Sequence, residues 1–184
     1  MTTEPKHLAR FEGGNALPGF RAESLLARLR GEVGRIEAVS ARYVHWVWSD
    51  TALTRAASDR LEALLRYGDP AHSADGGETI VVAPRLGTIS PWASKATDIA
   101  RNCGLSLHRI ERVSEFSLRL KKPLVGRAAA LAESERSALA ALLHDRMTEC
   151  VFLDPDDARH LFDEQPAQPT LLVDMLDGGR AALE

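Results

Sequence analysis

The chain has 184 residues, 45% of them hydrophobic and 27% charged, with a net charge of −3 at neutral pH and a pI near 6.1. That length allows one domain or two small halves sharing a core, and the composition is that of an ordinary globular protein. The acidic balance argues against nucleic acid, which asks for a basic stripe, no apolar run reaches the ~20 residues of a membrane span, and the N-terminus has no apolar signal core.

Residues 1–16 mix charge with glycine and read as a flexible lead-in. Residues 20–30 carry Leu25, Leu26 and Leu29 at helical spacing, and Gly31 and Gly34 end that helix. Residues 36–48 alternate as a strand, with Val44, Trp46 and Trp48 facing one way and Tyr43, His45 and Val47 the other. His45 reads as a packed strand histidine, with binding as the alternative. Thr51 or Thr54 caps a helix that runs to about Tyr67, buries Leu61, Leu64 and Leu65, and is closed by Gly68. Residues 69–77 are turn-rich, and residues 79–83, TIVVA, suit a central strand.

Residues 83–104, APRLGTISPWASKATDIARNCG, are the most informative stretch. Ser94 is the expected N-cap of a helix over 95–103, and Gly104 sits where a left-handed residue is wanted. Pro84, Gly87 and Pro91 give the preceding loop a defined path. Arg85, Thr88, Ser90 and Trp92 have no obvious core to fill. With Arg85 and Lys95 beside a helix start, the segment is a candidate for anion binding or partner contact. A well-capped helix after an ordinary surface loop is the plain alternative.

Residues 107–120 alternate as a long strand, with a bulge or bend expected near Ser114. Residues 121–126 connect to a helix over 133–146 that buries Leu139, Leu142 and Leu143, and 147–152 form a last strand. Asp154 and Pro155 start another helix that reaches about Phe162. Residues 154–184 then read as that helix and the beginning of a linker, with Pro166 and Pro169 extending it and Leu171 to Leu176 lacking partners.

Phosphate loops, dinucleotide fingerprints, HExxH and GxSxG are absent from the sequence. His7, His45, His72, His108, His144 and His160 lack metal-ligand spacing, so no metal residues are expected. The pair His144 and Asp145 points in different directions on a helix, so no catalytic dyad is expected. Cys103 and Cys150 lie far apart and read as reduced structural thiols, consistent with a cytoplasmic protein.

The order helix–strand–helix–strand occurs twice, over 20–83 and 94–152. Leu61, Leu64 and Leu65 recur as Leu139, Leu142 and Leu143, each 78 residues on. Neither half would bury much core alone. The expected fold is α+β: duplicated ferredoxin-like halves over 17–153, packed as a pseudo-twofold pair, with a mainly antiparallel sheet and helices outside.

YVHW at Tyr43, RYG at Arg66, PRLGTISPWASKATDIARNCGL from Pro84, HDRMTE at His144 and VF at Val151 together resemble the N-terminal region of long single-chain phosphoribosylformylglycinamidine synthase. The stretch from Pro84 is the specific part, and it departs from the usual pattern at Leu86, where proline is common. The resemblance implies a C–N ligase of purine biosynthesis. It uses ATP, magnesium and glutamine-derived ammonia to convert formylglycinamide ribonucleotide to the amidine. Its synthetase and glutaminase domains would be partners in the same full-length chain. The ATP, magnesium and glutaminase residues of the family would lie beyond Glu184, so no catalytic residue, metal or cofactor is assigned to this piece, which alone is expected to be inactive. Arg85, Thr88, Ser90, Trp92, Ser94 and Lys95 are the residues expected to touch substrate or the neighbouring domain. Two other readings remain. One is a stand-alone ferredoxin-like module for small-ligand binding or regulation. The other is a ferredoxin-like RNA-binding domain, which needs exposed aromatics such as Tyr43 and Trp46 and a basic face.

Overall fold

The computed structural model describes residues 7–71, 77–121 and 129–163, with the isolated residues 169, 173, 177, 179 and 180. Five strands form one antiparallel sheet in the order β1-β2-β4-β3-β5. They are β1 (His7–Asn15), β2 (Ile36–Ser49), β3 (Glu78–Pro84), β4 (Arg109–Leu120) and β5 (Glu149–Phe152). Four α-helices join them: α1 (Gly19–Glu32), α2 (Arg55–Leu65), α3 (Pro91–Asn102) and α4 (Glu133–Leu143). A 3-10 helix, η1 (Pro155–Phe162), follows. The fold is thus α+β, with an antiparallel sheet and helices outside. The sequence expectations over 164–168 and from Leu171 to Leu176 fall largely outside the described residues.

The helix–strand–helix–strand run is present twice, and the sheet shows what precedes the first copy. Residues 7–15 form β1 and not a loose lead-in. Their charges are satisfied across the sheet, where Arg10 donates to Glu115 at 2.7 Å and Glu12 accepts from Arg42 at 2.9 Å. With β1 included, each half reads strand–helix–strand–helix. The order β1-β2-β4-β3 is then unchanged when the halves are exchanged, which places a pseudo-twofold axis through the β2·β4 pair. β5 lies outside this symmetry, on the far edge of β3.

Period-two alternation sorts the two faces. On one face, Val39 and Ile36 of β2 and Leu118 and Leu120 of β4 pack under α1 and α4 around Leu29 and Leu139. Farther along the same face, Val47 and Ile110 pack under α2 and α3 around Leu61, Leu65 and Ala100. Truncating any of the fully buried leucines would cost about 2–5 kcal/mol. On the other face, η1 places Ala158, Leu161 and Phe162 over Val44, Trp46, Val81 and Val113. Trp46 is therefore buried, and no aromatic platform for RNA stands there.

Several local expectations change. The β2·β4 register runs unbroken from Ala38↔Arg119 to Trp48↔Arg109, so there is no bulge at Ser114; the irregularity lies between Ile36 and Ala38. The imperfect alternation of β4 comes from Glu111 and Glu115, charged residues buried against arginines. Leu64 is exposed at the end of α2, whereas Leu61 and Leu65 are buried. Thr54 is the cap of α2, accepting from Ala57 N at 3.2 Å. Gly104 takes φ 77° at the end of α3, and Asp154 caps η1 by accepting from Asp156 N at 3.0 Å.

Candidate functional site

The loop between β3 and α3 is built from turn and cap chemistry. Thr88 N donates to Arg85 O at 3.2 Å, and Thr88 Oγ1 donates to the same oxygen at 2.6 Å. Gly87, third in that turn, has φ 75°, a conformation that costs glycine least. Arg85 N donates to Thr148 O at 3.0 Å, which ties the loop to the approach to β5. Ser90, and not Ser94, is the N-cap of α3, accepting from Ala93 N at 3.0 Å. Pro91 decides between the two serines. Its fixed φ and missing N–H suit the first helical position, so the helix starts four residues earlier than expected. Ser94 is exposed in the first turn.

Beneath the loop, Arg109 and Glu111 fasten it to the sheet. Ser90 Oγ donates to Glu111 Oε2 at 3.2 Å. Arg109 donates to Glu111 Oε1 at 2.9 Å, to Thr88 O at 3.2 Å and to Leu161 O at 2.9 Å. Burial raises the Glu111 pKa, and Arg109 opposes the rise. The guanidinium also lies 5.2 Å from the Phe162 ring centroid, so one side chain joins loop, strand and η1.

Between the α1/α4 and α2/α3 layers, the middle of the sheet carries a different set of residues. Tyr43 and Ser114 are register partners there, as are His45 and Arg112. The Arg112 guanidinium lies 4.3 Å from the Tyr43 ring centroid and 4.7 Å from that of Trp92. It donates to Tyr67 Oη at 3.2 Å. Tyr67 Oη is 2.9 Å from His45 Nε2. Arginine can only donate, so the tyrosine oxygen accepts from it, and the direction of the Tyr67–His45 bond follows the imidazole tautomer. His45 is wholly buried, and burial first and Arg112 second hold its pKa down at about 4. It is a packed, neutral strand histidine at neutral pH.

A cleft of about 630 Å³ lies between the loop and these sheet residues. Arg85, Thr88, Ser90 and Trp92 line it, and so do Tyr43, Arg112 and Ser114. Ser94 and Lys95 do not. Lys95 borders a smaller apolar groove of about 200 Å³ between α2 and α3. Four of the six residues singled out from the sequence therefore share one cavity. Arg112 and Ser114 are additions that the sequence reading missed. The available signal was Arg112 itself, a charge at a strand position that alternates onto the same face as Ile110.

His144, Asp145 and Cys150 have structural partners. His144 Nδ1 lies 2.6 Å from Ala140 O, while the Asp145 carboxylate accepts from Met147 N at 2.8 Å and Thr148 Oγ1 at 3.2 Å. The two side chains hold a helix end and a turn. Cys150 sits half-buried on β5 with its thiol 3.2 Å from Pro84 O, and burial pushes its pKa up. Cys103 is exposed at the end of α3. Among the described residues no cluster of three or more His, Cys, Asp or Glu could hold a metal ion. No helix among them is long and apolar enough to cross a membrane.

The family model described as formylglycinamide ribonucleotide amidotransferase N-terminal matches residues 42–162. The match begins in β2 and ends with η1, so it contains the loop, the cleft and the Arg109 anchor.

Proposed function

From membership of the formylglycinamide ribonucleotide amidotransferase N-terminal family, to which this chain belongs, we propose that the domain is a scaffold and wall for the reaction centre of the complete enzyme. The family places the chain in an amidotransferase of purine biosynthesis. In this reading the complete enzyme converts formylglycinamide ribonucleotide to the amidine, using ATP, magnesium and ammonia from glutamine. The chemistry belongs to synthetase and glutaminase domains of the same full-length chain. This domain docks on them, helps to enclose the substrate, and has no activity alone.

The observation that carries the proposal is the contrast within residues 84–95. The backbone is fixed by Ser90, Thr88, Thr148 and Arg109, yet Arg85, Leu86, Thr88 and Ile89 are exposed. A loop held this firmly with its side chains facing outward loses little freedom on meeting a partner. Arg85, Thr88, Ser90, Trp92, Ser94 and Lys95 supply the contacts, to the neighbouring domain or to the anionic substrate. Arginine and tryptophan are among the side chains that carry most of the energy of protein contacts.

The test is kinetic. Arg85→Ala in the full-length amidotransferase is expected to raise the substrate KM or to uncouple glutamine hydrolysis from amidine formation. Unchanged kinetics together with unchanged assembly would reject the role.

A further inference from the structure

We infer that Tyr67 is a positioning residue for the complete enzyme: its hydroxyl, anchored on buried His45, sets the orientation in which the Arg112 guanidinium meets the cleft. The inference rests on the reading of this domain as a wall of the reaction centre. It adds to that wall a residue that does not itself line the cleft.

The need for such a residue lies in how Arg112 is held. It is half-buried and lines the cleft, with its guanidinium over the rings of Tyr43 and Trp92. A ring face holds a guanidinium at a set height, but it leaves the group free to turn in its own plane. Arg10, Arg35, Arg42, Arg109 and Arg136 have that rotation fixed by a glutamate. For Arg112 the corresponding contact is Tyr67 Oη, to which it donates at 3.2 Å. Without that bond the two rings would hold the cation in place while its donors pointed in no fixed direction.

Tyr67 can set the direction because both its ends are fixed. Its backbone lies just past α2, pressed against β1: a Cβ on Gly14 would stand 2.5 Å from Tyr67 O, and Asn15 N donates to Asp69 O at 2.8 Å. Its hydroxyl is 2.9 Å from Nε2 of His45, a residue with no exposed surface. The imidazole is itself packed between rings, with centroids 5.3 Å from Trp92 and 5.6 Å from Tyr67. Burial keeps it neutral at neutral pH, so it anchors the hydroxyl without repelling the nearby cation. The line of contacts therefore runs from the buried middle of β2, through Tyr67, to a charged group at the cleft. Misplacing a binding group by about 1 Å is enough to weaken its hold on a substrate.

The experiment is a double-mutant cycle in the full-length amidotransferase, with formylglycinamide ribonucleotide as the varied substrate. Tyr67→Phe removes the hydroxyl and keeps a ring that is partly exposed, so no core cavity opens. It is expected to raise KM about three- to tenfold, the worth of one hydrogen bond, with kcat within about twofold of the parent. The same change made on Arg112→Gln should add nothing further, because the hydroxyl acts through the guanidinium. Leu64→Ala, at an exposed position near the end of α2, should leave both constants unchanged. In the 184-residue chain, Tyr67→Phe should shift and broaden the Arg112 Nε–H signal in NMR spectra. An unchanged KM, an equal effect of Tyr67→Phe with and without Arg112, or an unmoved Arg112 signal would overturn the role. An unchanged KM for Tyr67→Phe beside altered kinetics for Arg85→Ala would reject the positioning role alone and leave the domain as a wall. A KM raised only where Arg112 is present would uphold it even if Arg85→Ala were silent.

Discussion

Arg109 and Glu111 form a salt bridge of 2.8 Å in which the carboxylate side chain has no exposed surface. Glu111 also accepts from Ser90, and Arg109 also donates to Thr88 and Leu161. Two neighbouring positions on one face of β4 therefore govern both the loop and η1. Arg109→Met would leave Glu111 buried without its cation, which costs about 3–5 kcal/mol. The double variant Arg109→Met, Glu111→Leu should recover most of that loss in urea denaturation. Equal losses in the single and double variants would show that the pair is not coupled.

The pH dependence has a predictable sign. His45 protonates near pH 4 in the folded chain and near 6.5 when exposed by unfolding. Between those values the unfolded chain binds more protons, so this contribution to stability is complete above pH 6.5 and is lost as pH falls toward 4. Glu111 acts in the opposite sense. Its raised pKa makes its contribution largest in acid, and it fades as pH rises through the carboxylate range. Comparing His45→Gln with the parent chain isolates the first effect. The stability difference should shift by about 2–3 kcal/mol between pH 7 and 4, at roughly 1.4 kcal/mol per pKa unit, and parallel profiles would contradict it.

The two serines of the loop should differ. Ser90→Ala removes the cap on Ala93 and the hydrogen bond to Glu111, a loss of about 1–2 kcal/mol. Ser94→Ala removes an exposed hydroxyl 3.4 Å from Ser90 O and should change stability by less than about 0.5 kcal/mol. Thermal melts of the two variants decide the matter, and a larger loss at Ser94 would contradict the observed helix start.

Gly13 lies in the irregular part of β1, where a Cβ would stand 2.6 Å from His45 Cε1 and 3.0 Å from both Cβ and O of Tyr43. Gly13→Ala should cost about 1–3 kcal/mol through overpacking. It should also perturb the Tyr67–His45 contact, visible as a shift of the His45 ring signals. A variant as stable as the parent, with those signals unmoved, would mean that the strand yields at no cost.

What the sequence made legible was local. Thr54, Gly104 and Asp154 act through neighbours within a few residues, and their types announce the role. β2 was equally readable from its run of β-branched and aromatic residues, and Val44 to Val47 are buried on both faces. β1 was not, because HLARFEGGN is an edge strand whose charges find partners such as Glu115, 105 residues away. The cleft was half legible for the same reason. Arg85, Thr88, Ser90 and Trp92 stand out in one loop, whereas Tyr43, Tyr67 and Arg112 meet only through folding. The expected cap at Ser94 fails because Pro91, which also suits a stiff loop, occupies the first position of the helix and leaves Ser90 as the cap.

The halves also differ where a strand hands over to its helix. From β1 to α1 the link is residues 16–18, while from β3 to α3 it is residues 85–90. A pair of identical subunits would present that longer connection twice, once on each flank. Within this single chain one flank carries the six-residue connection and the other the three-residue one. Whatever approaches the domain thus meets a left and a right, and an architecture of near-equal parts acquires a front door.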